Sequence, residues 1–330
     1  MKKILTNVAR GAFAAAMVLL LGACGTGQSE DKVVIYTNAD EEPTKVIEKT
    51  LDDNGYKDKY ILQTMGTSEL GGKLTAEGKN IEADLVTMST FYIDDAQEKN
   101  QLFQDVSLDV KPLQETAPYA APMTVQEGVI FYNADALKEA NLEAPKSFKE
   151  LADPKYKGNL SISDIKSSST AWLLVQALVD TYGEKEAQEI LQGIYKNAGD
   201  HVEGSGSGPL KKVRVGEVAL GFGLRHQAVK DKEDGLPIDY VEPEEGTYTL
   251  TESVAVVDKG EKTNPEAEKM MNIILKEARP EILKIYPSAL YEGESVEGLS
   301  VAENQKVFGE PLTPVLLQKH QKLTEEMRGN

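Results

Sequence analysis

Residues 151–172 read LADPKYKGNLSISDIKSSSTAW, and this stretch decides the fold class. Turns lead into a short strand ending at SIS (161–163), then Asp164, then Ser167, Ser168, Ser169 and Thr170. The run that follows, AWLLVQALVDTYG (171–183), is apolar nearly all round and so predicts a buried helix. A strand that passes through a hydroxyl-rich turn into a buried helix is a unit of an α/β sheet. A helix start leaves backbone N–H groups unpaired, and its dipole favours negative charge there. One hydroxyl suffices as the cap. Taken alone, the spare hydroxyls belong either to a serine-rich turn or to a loop that donates to ligand oxygens.

The same rhythm extends in both directions. KVVIYTN (32–38), KYILQTM (59–65) and ADLVTM (83–88) are β-branched or aromatic runs and predict strands. EEPTKVIEKTLDDNG (41–55), ELGGKLTAEG (69–78) and FYIDDAQEKN (91–100) predict helices between and after them. Further strands are expected at GVIFYN (128–133), GEVALGFG (216–223), PIDYVE (237–242) and LTESVAVV (250–257). EKEAQEILQGIYKNAG (184–199) is amphipathic, and NPEAEKMMNIILKEARP (264–280) predicts a helix that starts at Asn264-Pro265 and stops at Pro280. Polar patterning near residue 303 and LLQKHQKLTEEMRGN (316–330) suggest C-terminal helices.

The N-terminus reads MKKILTNVARGAFAAAMVLLLGAC (1–24). Its uncharged stretch is about a dozen residues, short of the ~20 needed to span a bilayer, so residues 1–23 predict a secretory signal. Leu21-Gly22-Ala23-Cys24 resembles the lipobox of bacterial lipoproteins, and Cys24 is the only cysteine, without a disulfide partner. Residues 24–31 then form a lipid-anchored tether. The chain carries a net charge of −18; removing Lys2, Lys3 and Arg10 with the signal takes this to −21. So acidic a body is a poor binder of nucleic acid, and only its anchor would hold it near anionic lipid.

Ligands of open α/β sheets bind beyond the carboxyl ends of strands. Asn38, Thr67 and Ser68 in GTSE (66–69), Ser89, Ser168 to Thr170, and Ser205 in GSGSG (204–208) all occupy such positions. Several convergent loops of hydroxyl and amide donors suit a small oxygen-rich anion.

The order of these motifs resembles the solute-binding proteins of ABC importers with the type II periplasmic-binding-protein fold. Within that family it is closest to the branch binding ferric iron, phosphonates and sugar phosphates. The resemblance runs through GTSELGGKLTAEGKNIEADLV, GVIFYN, LADPKYKGNLSISDIKSSSTAW, GSGSGPLKKVRVGEVALGFG and EGTYTLTESVAVV. It implies an α/β fold of two lobes, each a mixed sheet flanked by helices, with the ligand in the cleft between them. The lobes expected are residues 32–125 with 255–330, and residues 126–254. Iron-binding members carry adjacent tyrosines near LRHQ (224–227), whereas Tyr240 and Tyr248 here are isolated. Phosphonate and sugar-phosphate members tend to carry an Asp/His cluster there; this chain has Arg225, His226 and Gln227. Arg225 is either a fork for a carboxylate or phosphoryl group or an exposed arginine. His226 is a further candidate, and Glu245 is one for a ligand hydroxyl or amine.

An enzyme is disfavoured. The three histidines lie in separate elements, and no G-x-S-x-G, H-E-x-x-H or P-loop pattern occurs, although a carboxylate pair of an exported hydrolase remains open. The expectation is a monomeric receptor without cofactor or metal, anchored outside the cytoplasm by its lipid. Its ligand is expected to be an organophosphonate or phosphate ester, delivered to a permease and its ATPase. Ferric iron, thiamine and polyamines are the alternatives within the same fold.

Overall fold

The computed structural model describes residues 32–328. The expected signal, Cys24 and tether lie outside them. The chain opens with β1 (Val33–Thr37), α1 (Glu41–Leu51), β2 (Tyr60–Thr64), α2 (Thr67–Glu77), β3 (Leu85–Ser89) and α3 (Thr90–Asn100). It continues through β4 (Ala121–Asn133), α4 (Ala134–Glu139), β5 (Leu160–Ser163), α5 (Ser169–Ala198), β6 (Val202–Glu203), α6 (Gly208–Arg214) and β7 (Leu220–Leu224). Then follow α7 (Arg225–Glu233), β8 (Ile238–Val241), β9 (Thr247–Val256), α8 (Pro265–Ile273), α9 (Arg279–Ile285), β10 (Gln305–Lys306) and α10 (Pro314–Arg328).

The sheet order is β2-β1-β3-β9-β4-β7-β5-β6, with β10 on β9 and β8 on β4. The triplet β2-β1-β3 is parallel, as are β5-β6, β5-β7 and β9-β10, while β9 runs antiparallel to β3 and β4, and β4 antiparallel to β7 and β8. The long strand β4 joins the two regions. Its residues 121–127 pair with β9, and residues 128–133 pair with β7 and β8.

Alternation along the strands sends side chains to both faces, and both faces are covered. Val33, Ile35, Leu85, Val254 and Val256 pack under α1, α8 and α9. Val34, Tyr36, Val86, Met88 and Ala255 pack under α2 and α3. In the other region Ile130, Leu160, Ile162 and Phe222 meet α5, while Val129 and Phe131 meet α6 and α7. Each fully buried Leu, Ile or Val contributes ~1.5–3 kcal/mol. This is the mixed α/β, two-lobed architecture expected from the sequence.

The two helices expected at 171–199 are present: α5 breaks at Gly183, whose backbone is non-helical (φ 75°, ψ 161°). Two local expectations need correction. Pro280 does not stop its helix. Residues Ile274–Ala278 widen to a π turn, and Pro280 then sits in the first turn of α9, where no N–H is demanded. Near residue 303 the chain forms a turn and then the two-residue strand β10, which pairs with Thr247 and Tyr248. Beyond it, α10 packs on α5. Phe308, Leu316 and Leu317 share the apolar cluster of Trp172, whose Nε1 donates to His320 Nδ1 at 2.8 Å. Phe308, Leu316 and Leu317 thus add to the core around α5, not to the one under α8 and α9.

Candidate functional site

The end of β1, the middles of β4 and β9 and the first turns of α2 and α5 meet at a narrow cavity of about 50 Å³. Asn38, Asp40, Thr67, Gln126, Ser168, Ser169, Thr170, Gly206 and Glu252 supply its polar wall, with Leu173, Leu224 and Leu250 beside them. Five of the sequence candidates come together here: Asn38, Thr67, Ser168, Ser169 and Thr170. Their hydroxyls divide the work. Ser168 Oγ caps α5 by accepting from Thr170 N at 3.2 Å. Ser169 Oγ lies 3.4 Å from Thr67 Oγ1, across the cleft between the α2 side and the α5 side. Gln227 Nε2 makes a second crossing, donating to Asp40 Oδ2 at 3.0 Å. Phe91 of α3 meets Trp172 of α5 edge to face, 5.0 Å between ring centres. The cleft is therefore closed.

The other candidates are not on the wall. Ser68 bonds toward Tyr92, which packs on α2. Ser89 is fully buried at the end of β3, in register with Glu252. Ser205 is exposed, and its carbonyl accepts from Ser163 Oγ at 3.1 Å; the neighbouring glycine, Gly206, lines the cavity in its place. Arg225 is neither exposed nor free. It donates through Nε to Glu242 at 2.9 Å and through Nη1 to the Ser300 carbonyl at 2.6 Å, with Glu127 at 3.7 Å. His226 is buried against the Tyr286 ring, 4.4 Å away, and burial pulls its pKa down to about 3, so it stays neutral. Glu245 accepts from the backbone N–H groups of Phe148 and Lys149 and from Tyr182, a structural role.

Asp40, Gln126 and Glu252 were missed. The signal for two of them is a polar residue inside an apolar strand: Gln126 in TVQEGVIF and Glu252 in LTESVAVV. Glu252 is 4% exposed and accepts from Asn38 Nδ2 at 2.8 Å and Gln126 Nε2 at 3.0 Å. Burial raises its pKa, opposed by those hydrogen bonds. Burial also raises Asp40, to about 6, with the Glu252 charge adding to it and Lys211 opposing. Negative potential from Asp40 and Glu252 adds to burial in holding Tyr286 well above its usual range. No basic side chain lines the cavity. Among the described residues no cluster of His, Cys, Asp and Glu is suited to a metal ion.

Residues 45–280 match the family of bacterial extracellular solute-binding proteins. The chain belongs to that family. This solute-binding protein is 25% identical over 289 residues to the spermidine/putrescine-binding periplasmic protein of Escherichia coli K12, covering 82% of this chain and 79% of that one. Its fold matches AfuA from Actinobacillus pleuropneumoniae, solved with fructose-6-phosphate bound, with a TM-score of 0.71 and 21% identity over 89% of this chain and 97% of that one. It also matches a periplasmic thiamin binding protein with a TM-score of 0.72 and 20% identity, over 89% and 95% of the two chains. No helix of the described residues is long and apolar enough to cross a membrane.

Proposed function

We propose that this protein is the extracytoplasmic receptor of an ABC importer and that its cleft captures a small solute bearing a protonated amine. The observation that carries the ligand class is the pair of carboxylates on the cavity wall, Asp40 and Glu252, with no basic side chain on that wall and only the more distant Lys211 acting on Asp40. Inside a cavity of low dielectric, acids without a counter-ion resist ionisation, and an entering cation relieves them. The spermidine/putrescine-binding relative supports the same class. An organophosphonate or phosphate ester is the second reading, favoured by the first turns of α2 and α5 meeting at Thr67 and Ser169. It ranks lower because Arg225, its expected partner, is committed to Glu242 and Ser300.

Capture proceeds by hinge closure, in which contacts from both lobes stabilise the closed form read by the permease. The hinge strands are β4 and β9. One lobe is built on β1 to β3, the other on β5 to β8, and α10 belongs with the second. The protein acts as a monomer held to the membrane through lipid on Cys24. Cys24→Ser should release it into the medium or leave the signal uncleaved; normal processing with continued membrane attachment refutes the anchor.

A thermal-shift screen of polyamines, thiamine, phosphonates, sugar phosphates, inorganic phosphate and ferric chelates tests the ligand class. A ligand at a hundred times its Kd should stabilise the fold by ~2.7 kcal/mol. A shift with amines supports the amine reading; a shift with phosphoryl compounds alone overturns it.

A further inference from the structure

We infer that Glu252 is a positioning residue: it turns the amides of Asn38 and Gln126 so that both carbonyl oxygens face the cavity, making with Asp40 an acceptor-only corner for one primary ammonium group. This rests on the amine reading and sharpens it to a selectivity for N–H donors over charge alone.

The hydrogen bonds define the orientation. Asn38 Nδ2 donates to Glu252 Oε1 at 2.8 Å and to Thr67 Oγ1 at 3.0 Å, which uses both of its N–H groups. Gln126 Nε2 donates to Glu252 Oε2 at 3.0 Å and lies 3.5 Å from Thr124 Oγ1. An amide carries its donors and its acceptor on opposite branches, so fixing the NH₂ on a carboxylate turns the oxygen away from it. Asn38 Oδ1 and Gln126 Oε1 are both buried, and neither has a hydrogen-bond partner in the protein. Gln126 as a whole is 8% exposed. Flipping either amide would set its oxygen against a Glu252 oxygen.

Two buried carbonyls without donors are costly, on the order of 1–3 kcal/mol each. Asp40 stands on the same wall with one oxygen held by Gln227. An ammonium group presents three N–H donors and no acceptor, which matches two carbonyls and a carboxylate. A quaternary ammonium carries the charge but no N–H, and would leave both carbonyls unpaired. A phosphoryl group would set oxygen against oxygen.

The test titrates the full mature chain and its Glu252→Gln variant calorimetrically with butane-1,4-diamine, spermidine and agmatine, and with the permethylated form of each. The wild type should bind at least one primary amine a hundredfold more tightly than its permethylated form. In Glu252→Gln one amide must turn its NH₂ to the cavity, so the primary amine should weaken at least tenfold and the ratio fall below tenfold. Equal weakening of both forms would mean that Glu252 only supports the fold, and an unchanged ratio overturns the inference while leaving the amine reading intact. If no amine binds the wild type and a phosphoryl compound does, the amine reading itself fails. Should Glu252→Gln not fold, Gln126→Met, which keeps the length and removes the carbonyl, must lower the same ratio, and an unchanged ratio again overturns the inference.

Discussion

Gln126 and Glu127 are neighbours on β4, yet they belong to opposite kinds of buried polar site. Glu127 faces the Arg225 guanidinium at 3.7 Å and accepts from Gln305, while Glu242, Tyr240 and Ser300 complete the cluster. There a cation comes with the fold. Gln126 faces the cavity with Asp40 and Glu252, and no cation lines that wall. A buried acid that is matched within the protein holds structure; one left unmatched is an affinity waiting for a ligand. The matched cluster also has a mechanical place. Ser300 and Gln305 lie on the segment that leads from α9 to α10, so Arg225 ties that segment to the region of β7 and β8.

The largest effect should come from breaking the matched site. Arg225→Ala leaves Glu127 and Glu242 without their cation, and loss of one partner of a buried pair typically costs 3–5 kcal/mol. The melting temperature should fall by on the order of 10 °C in calorimetry. A loss below about 1 kcal/mol would erase the distinction between the two sites.

Removing charge from the unmatched site should do the reverse. Asp40 has its folded pKa raised from 3.8 to about 6, so between those values the native state holds more protons than the unfolded chain. Stability from this group is therefore full below pH 3.8 and lost as pH rises toward 6. Asp40→Asn should stabilise the unliganded protein at pH 7, by about 1–3 kcal/mol, and the gain should vanish near pH 4. Wild-type affinity for an amine should rise as pH increases through about 6, because the cation favours the ionised carboxylate. A stability gain equal at pH 4 and pH 7 would refute the electrostatic cause.

Gly206 tests the shape of the same wall. A Cβ there would stand 2.2 Å from Thr170 Oγ1 and 3.2 Å from Ser168 Oγ. Gly206→Ala should displace both hydroxyls and weaken ligand binding about tenfold, with a stability loss of roughly 1–2 kcal/mol. Unaltered affinity in titration would mean that the ligand does not use this face.

The smallest effect is expected at His226, which is buried beside Tyr286 with both ring nitrogens unpartnered. Its folded pKa, about 3, lies below 6.5, so its stability contribution is full above pH 6.5 and lost as pH falls toward 3. His226→Phe should leave stability at pH 7 within about 1 kcal/mol and flatten the acid limb of the stability curve. An acid limb as steep as the wild type's would show that other groups carry it.

Much of this was legible in the chain itself. The strand and helix order, the break at Gly183 and a hydroxyl cap for α5 from within Ser167 to Thr170 follow from periodicity, propensity and capping, which act over a few residues; that the cap is Ser168 came from the structure. GTSE and SSST opened helices as expected, and Thr67, Ser168, Ser169 and Thr170 reached the cavity because a helix start after a strand points its first turn there. Ser205 did not, although it lies in GSGSG; the backbone carried Gly206 to the wall and left Ser205 outside.

The sequence by itself determined the α/β class, the hydroxyls at the mouths of α2 and α5, and a net charge of −18. Only the tertiary structure decided which charges meet. Arg225 was spent on Glu242, a residue 17 positions away, and on Ser300, 75 positions away. Asp40 and Glu252, more than two hundred positions apart, were brought to one wall without a cation. The physical reason is range. Propensity and capping are settled between residues that are neighbours along the chain, whereas the worth of a buried charge depends on whatever the fold places within a few ångströms of it.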